Sequence, residues 1–217
     1  MTQRYYIETD GRIFLVSRDG RLDLPIKSEI PFEFEIVAPL APCSEVVFCV
    51  PNLTAHPSHW MSKDVVPVDP NVTPCVREAV HATMPRVVTE GVVVQNDSVL
   101  LLKGSRGLTK DLWTLPGGFI RFGEGPVDGL LREIREELRV DAEIEDLLAV
   151  HSKLGDHTLL HWTEFFYRVT LLGEVSPDPD EIAEARFFEL DKGARLLADP
   201  LMREVIESLS AGRLRLE

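Results

Sequence analysis

The chain has 217 residues, 44% hydrophobic and 27% charged, enough for one sizeable core or for one core and a small appended domain. Its formal net charge of −13 argues against a broad nucleic-acid or membrane surface, since either needs clustered lysine and arginine. No stretch approaches the ~18 uninterrupted apolar residues of a membrane span. The start, MTQRYYIETDGR, lacks an apolar signal core, so a cytoplasmic location is expected.

Residues 1–84 read as a small β-rich region. Arg4–Glu8 and Arg12–Val16 flank Thr9-Asp10-Gly11, a hairpin signal, and Asp19-Gly20 marks a second turn. Phe32–Val37 alternates apolar and acidic residues as a half-buried strand does, and Glu45–Val50 is a further strand. Pro51–Pro70 is loop-like. Asn71–Met84 forms a helix, capped by Asn71 or Thr73 and stopped by Pro85. Tyr5, Tyr6, Phe32, Phe34 and Trp60 could stack on a base, and aromatics alternating along strands equally describe a core. Cys43, Cys49 and Cys75 form no C-x-x-C pair and are expected to be reduced. Together with His56 and His59 they match no zinc spacing.

A second region, residues 85–217, begins at Pro85. Val87–Gln95 and Val99–Lys103 are strands around Asn96-Asp97. Leu112–Ile120 leads into a glycine-rich loop with Gly117, Gly118, Gly123 and Gly125. Pro126 then suits a first helical turn, and Leu130, Leu131, Ile134 and Leu138 make an apolar stripe. Strands follow near Ala142–Leu154, Thr158–Leu172 and Ala185–Leu190, and a last helix spans Asp199–Ala211. This alternation suits a mixed sheet between helices.

Glu133, Glu136 and Glu137 stand at i, i+3 and i+4 on the glycine-preceded helix. Like charges at this spacing repel by a few tenths of a kcal/mol per pair, roughly, even when exposed. A hard divalent cation reverses that sign, because oxygen clusters of this kind suit Mg²⁺ or Mn²⁺. A solvated acidic face on an ordinary amphipathic helix has the same composition.

The segment Gly118–Val140 resembles the Nudix hydrolase signature G-x5-E-x7-R-E-U-x-E-E-x-G-U, where U is a bulky apolar residue. Gly118, Glu124, Arg132, Glu133, Ile134, Glu136, Glu137 and Val140 fall on it in register. Arg139 departs, standing where the family has a glycine suited to a left-handed helix end; arginine there costs about 1 kcal/mol. Trp113–Gly118 resembles the approach to the box and Glu181–Leu190 the family's late segment, so the likeness runs over roughly residues 86–212. The region preceding it does not resemble the four-cysteine zinc module of some members, and its strands could pair across a homodimer.

The resemblance implies an α/β/α sandwich, with the β-rich region in front, and an enzyme that hydrolyses a nucleoside diphosphate linked to another moiety. It implies Glu136 and Glu137 as Mg²⁺ or Mn²⁺ ligands, Glu133 as ligand or base, the Gly118 carbonyl as a backbone ligand, and Arg132 and Glu124 as braces. It also implies a further metal carboxylate from the acidic loop 177–181, with Glu181 first, Glu184 second and Glu164 third. The alternative is a non-catalytic nucleotide or nucleotide-sugar sensor on the same fold. Against it stand the complete carboxylate set and the absence of a basic helix-turn-helix segment after Leu190. Gly155, Asp156, His157 and Thr158 occupy the stretch where ADP-ribose-specific members show a proline and dinucleoside polyphosphate hydrolases a tyrosine. His151, His157 and His161 are candidates for a phosphate contact or a plain sheet position.

Overall fold

The computed structural model describes residues 2–40, 45–55, 57–155 and 160–213. They form two compact units: residues 1–85 with 153–162, and residues 86–152 with 163–217. Residues 153–162, at the junction of the strands Ala142–Leu154 and His161–Leu171, group with the first unit. Among the described residues no helix is long and apolar enough to cross a membrane.

In the first unit, β1 (Arg4–Thr9), β2 (Arg12–Ile13), β3 (Val16–Arg18), β4 (Arg21–Asp23), β5 (Phe34–Pro39), β6 (Val46–Pro51) and β7 (Met61–Ser62) precede α1 (Pro74–Thr83). Five strands pair in the order β5-β6-β1-β2-β7, and β3 pairs with β4 across the Asp19-Gly20 turn. The β1–β6 pair is parallel, and β1 buries side chains on both of its faces. Tyr6 packs toward Val76, Ala79 and Val80 of α1, while Tyr5 and Ile7 pack with Val47, Cys49 and Trp60. The aromatics named as base-stacking candidates therefore build core: Phe32 stacks on Trp60 at 5.3 Å and Tyr5 meets Phe34 edge-on at 5.3 Å.

Three local expectations shift. The alternation of Phe32–Val37 breaks at a register shift between Ile36 and Ala38, which leaves Ile36 exposed. Thr73, not Asn71, precedes α1, and its hydroxyl donates to Asp23 Oδ1 at 2.9 Å instead of capping the helix. The loop-like stretch 51–70 contains β7.

The second unit holds β8 (Arg86–Val92), β9 (Val94–Gln95), β10 (Ser98–Gly104), β11 (Trp113–Thr114), β12 (Gly117–Phe119), α2 (Pro126–Leu138), β13 (Ala142–Leu154), β14 (His161–Leu171), β15 (Ile182–Glu189), α3 (Leu190–Leu196) and α4 (Pro200–Ser210). Two sheets run β11-β10-β15, with β9 on β10, and β12-β8-β14-β13. Period-two alternation sorts their side chains to two sides. Leu100 and Leu102 of β10 and Tyr167 and Val169 of β14 pack with Leu130, Ile134 and Leu138 of α2. Val99 and Leu101 of β10 and Phe166 of β14 pack with Ala194 of α3 and Val205, Ile206 and Leu209 of α4. Strands carrying helices on both faces make the expected α/β/α sandwich. The helix α3 was not expected: Leu190, read as the end of a strand, opens it. The strand expected from Thr158 begins at His161, and Thr158 and Leu159 lie outside the described residues.

Candidate active site

The site is built where β12 and its glycine-rich loop meet α2. Pro126 occupies the first turn of α2, and Leu130, Ile134 and Leu138 are fully buried, while Glu133, Glu136 and Glu137 lie on the side flanking that stripe. Gly117 has φ 150° and its Cα lies against β8: a Cβ there would stand 2.1 Å from the Thr89 carbonyl oxygen and 2.9 Å from Glu90 Oε2. Gly118 lies against the Glu133 carboxylate, where a Cβ would be 2.8 Å from Cδ. Glycine at both positions is thus a packing requirement for bringing the strand up to the helix carboxylates.

Arg132 is the hub. Its guanidinium donates to Glu124 Oε1 and Oε2, both at 2.9 Å, to Glu133 Oε1 at 2.6 Å, to Glu136 Oε2 at 3.2 Å and to the Phe119 carbonyl at 3.0 Å. Only 15% of its side chain is exposed, so the fork is held by its partners on several sides. Glu124 also accepts the Arg121 N–H at 2.8 Å. The Arg132 hydrogen bonds, helped by that N–H, hold the Glu124 carboxyl down at about 2. It is a permanent anion, braced rather than available for proton transfer.

Glu133 and Glu137 are shifted the other way. Burial raises the Glu133 carboxyl against the opposing pull of Arg132. Burial also pushes Glu137 up to about 8, against the Gly117 N–H that donates to its Oε2 at 3.0 Å, and the charges of Glu133, Glu181 and Glu136 add to the rise. Glu181 therefore lies within electrostatic reach of Glu137. Its carboxylate pairs with Arg106, while Glu136 pairs with Arg121 at 3.0 Å. Among the described residues, no three His, Cys, Asp or Glu side chains stand close enough to enclose an ion. The donor set nevertheless fits a hard divalent cation: several carboxylates share one face, and the charged form of Glu137 is penalised by its anionic neighbours.

The other expected residues divide. Glu184 is exposed and its nearest described ion-pair partner is Arg186, at 4.0 Å, away from the α2 carboxylates. Glu164 is buried within β14. His151 rests edge-on against Phe166 at 6.0 Å, a sheet position. His56, His157 and Cys43 lie outside the described residues. Among the described residues Cys49 and Cys75 form no disulfide, and burial pushes Cys49 up to about 11. A cavity of about 490 Å³ in the first unit, against Arg12, Phe14 and Trp60, includes none of the helix carboxylates. Two features escaped the sequence reading. Glu90, only 5% exposed beside Gly117, was signalled by a lone acid inside the apolar run VVTEGVVV. Arg106, far from the box in sequence, gave no signal.

The comparisons agree with this fold. The NUDIX domain model matches residues 85–209, and the chain belongs to that family. Its enzyme class is that of the Nudix diphosphohydrolases. The ADP-ribose pyrophosphatase of Methanocaldococcus jannaschii is 29% identical over 53% of this chain and 68% of its own length. The NAD-capped RNA hydrolase NudC of Stutzerimonas stutzeri is 30% identical over 57% of this chain, and the match spans 44% of that protein. A crystal structure of a MutT NUDIX hydrolase from Burkholderia pseudomallei superposes with a TM-score of 0.51 at 29% identity, covering 58% of this chain and 98% of that one.

Proposed function

We propose that this protein is a Mg²⁺- or Mn²⁺-dependent hydrolase cleaving the pyrophosphate linkage of a nucleoside diphosphate joined to another moiety. The observation that carries the reading is the seating of β12 against the helix carboxylates, where the Gly117 N–H donates to Glu137 Oε2 at 3.0 Å and Gly118 lies against the Glu133 carboxylate. Glu133, Glu136, Glu137, Glu181 and the Gly118 carbonyl would hold the cation. When bound, it would neutralise phosphate oxygens and acidify a water.

The chain's own residues supply the rest. Glu133, raised by burial and with Oε1 fixed by Arg132, is suited to take a proton from water. Arg132 and Glu124 keep that carboxylate in one orientation. Arg106 and Arg121 are exposed, and each is partnered by a carboxylate assigned to the cation, Glu181 and Glu136 respectively. Their charge can turn to substrate phosphates once those carboxylates are engaged.

The relatives direct the first assays to ADP-ribose and NAD-linked compounds, followed by nucleotide sugars, nucleoside triphosphates and dinucleoside polyphosphates. With Mn²⁺ present, one of these classes should give nucleoside monophosphate. Binding without turnover across the whole panel would contradict the reading and leave a sensor.

A further inference from the structure

The arginine that breaks the family pattern has a specific partner. Arg139 ends α2 in the left-handed conformation, φ 53° and ψ 37°, which glycine adopts without strain. Its Nη2 lies 3.2 Å from Asp178 Oδ2. Asp178 in turn organises the acidic loop. Its N–H donates to the Glu137 carbonyl at 2.8 Å, and two residues earlier the Ser176 N–H donates to the Leu138 carbonyl at 2.9 Å. These bonds satisfy carbonyls that a helix end leaves open. The Asp178 carbonyl accepts the N–H groups of Glu181, at 3.1 Å, and Ile182, at 2.7 Å, and its Oδ1 accepts the Asp180 N–H at 3.0 Å. From the other side Ser105 donates its N–H to the Glu181 carbonyl and its hydroxyl to the Asp180 carbonyl, each at 2.8 Å.

We propose that Arg139 is a positioning residue: its ion pair with Asp178 clamps the loop 176–181 onto the last turn of α2 and so sets where Glu181 stands relative to Glu137. The inference rests on the reading of Glu181 as a cation-holding carboxylate. Stability gives arginine no reason to be here. Arg139 is 53% exposed in a pair whose partner is 27% exposed, so solvent screens it and it contributes little, while a left-handed arginine carries strain. The gain is in placement, because the loop bonds to the backbone of Glu137 itself.

The test compares Arg139→Gly, Arg139→Lys and Asp178→Asn in the full chain, with Arg135→Ala as a control. Arg135 carries the same charge near the same helix end but pairs with Asp141, at 2.6 Å. Amide exchange at Ser176 and Asp178 reads the clamp, melting temperature reads stability, and kcat and KM on the best substrate read the site. Arg139→Gly should melt at or above the wild-type temperature, yet lose exchange protection in the loop. Its kcat should fall by about 10- to 100-fold with KM nearly unchanged, since misplacing a reacting group acts on the transition state. Asp178→Asn should match that kcat loss. Arg139→Lys should recover most activity, and Arg135→Ala should exchange like wild type. Unchanged loop exchange in Arg139→Gly overturns the clamp, and lost protection with wild-type kcat overturns its link to Glu181. A wild-type chain that hydrolyses nothing would fail the functional reading instead, and loop exchange would still decide the clamp.

Discussion

Two glutamates one helical turn apart are proposed for different work. Glu133 is fixed at one oxygen by Arg132 and raised by burial, so it is the proton acceptor in this account. Glu133→Gln should lower kcat by about 10²–10⁴-fold while the melting temperature stays within a few degrees, measured by steady-state kinetics and thermal unfolding. More than a third of wild-type activity would assign the proton to another group. Glu137, pushed up to about 8 from an ordinary 4.5, carries a pH signature. The folded, metal-free protein holds this proton more tightly than the unfolded chain does. Its contribution to stability is therefore full below about 4.5 and is lost as pH rises toward 8. Cation binding needs the deprotonated form, so Mn²⁺ affinity should climb over that window with proton release and level off above about 8. Calorimetry in buffers of different ionisation enthalpy reads both, and a flat affinity from about pH 6 to pH 8 would contradict the assignment.

At the scale of elements, β12 and α2 act as one device. Gly117 lets the strand lie on β8 while its N–H reaches Glu137. Gly117→Ala should destabilise by roughly 1–3 kcal/mol through overpacking against Thr89 and lower activity by displacing Glu137, as denaturant titration and kinetics would show. A variant as stable and active as wild type would mean that β8 yields easily. The helix, its apolar stripe, its Pro126 start and its acidic face were legible because 3.6-residue periodicity is local information. So were the hairpin turns, since Asp19, Asn96 and Asp97 all adopt the positive φ that such turns require. What sequence could not show was tertiary: that Arg139 reaches Asp178, that Arg106 meets Glu181, that β1 is buried on both faces, or that Leu190 turns from strand into helix. Each depends on a neighbour far along the chain or on a packing choice that residue periodicity does not encode.

For the molecule as a whole, the charge of −13 bears on substrate choice. A long polyanion meets repulsion over the surface, while a small nucleotide can be met locally by the exposed Arg106 and Arg121. Free NADH should therefore be hydrolysed with a higher kcat/KM than NAD-capped RNA, compared at matched ionic strength and saturating Mn²⁺. The opposite order would reveal a nucleic-acid surface that the composition conceals. The first unit, with its own two-sided core, remains a candidate for pairing between copies of the chain, and sedimentation of the intact protein would read that state directly.

The central claim is that Glu133, Glu136, Glu137 and Glu181 form one divalent-cation site. Calorimetric titration of Mn²⁺ into the wild-type protein and into Glu137→Gln, at a pH above about 8, tests it most directly. The account predicts saturable binding to wild type and at least about tenfold weaker binding to the variant, since loss of even an outer-shell partner of a ligand costs about 10–100-fold in metal affinity. Equal affinity in the two proteins would contradict it.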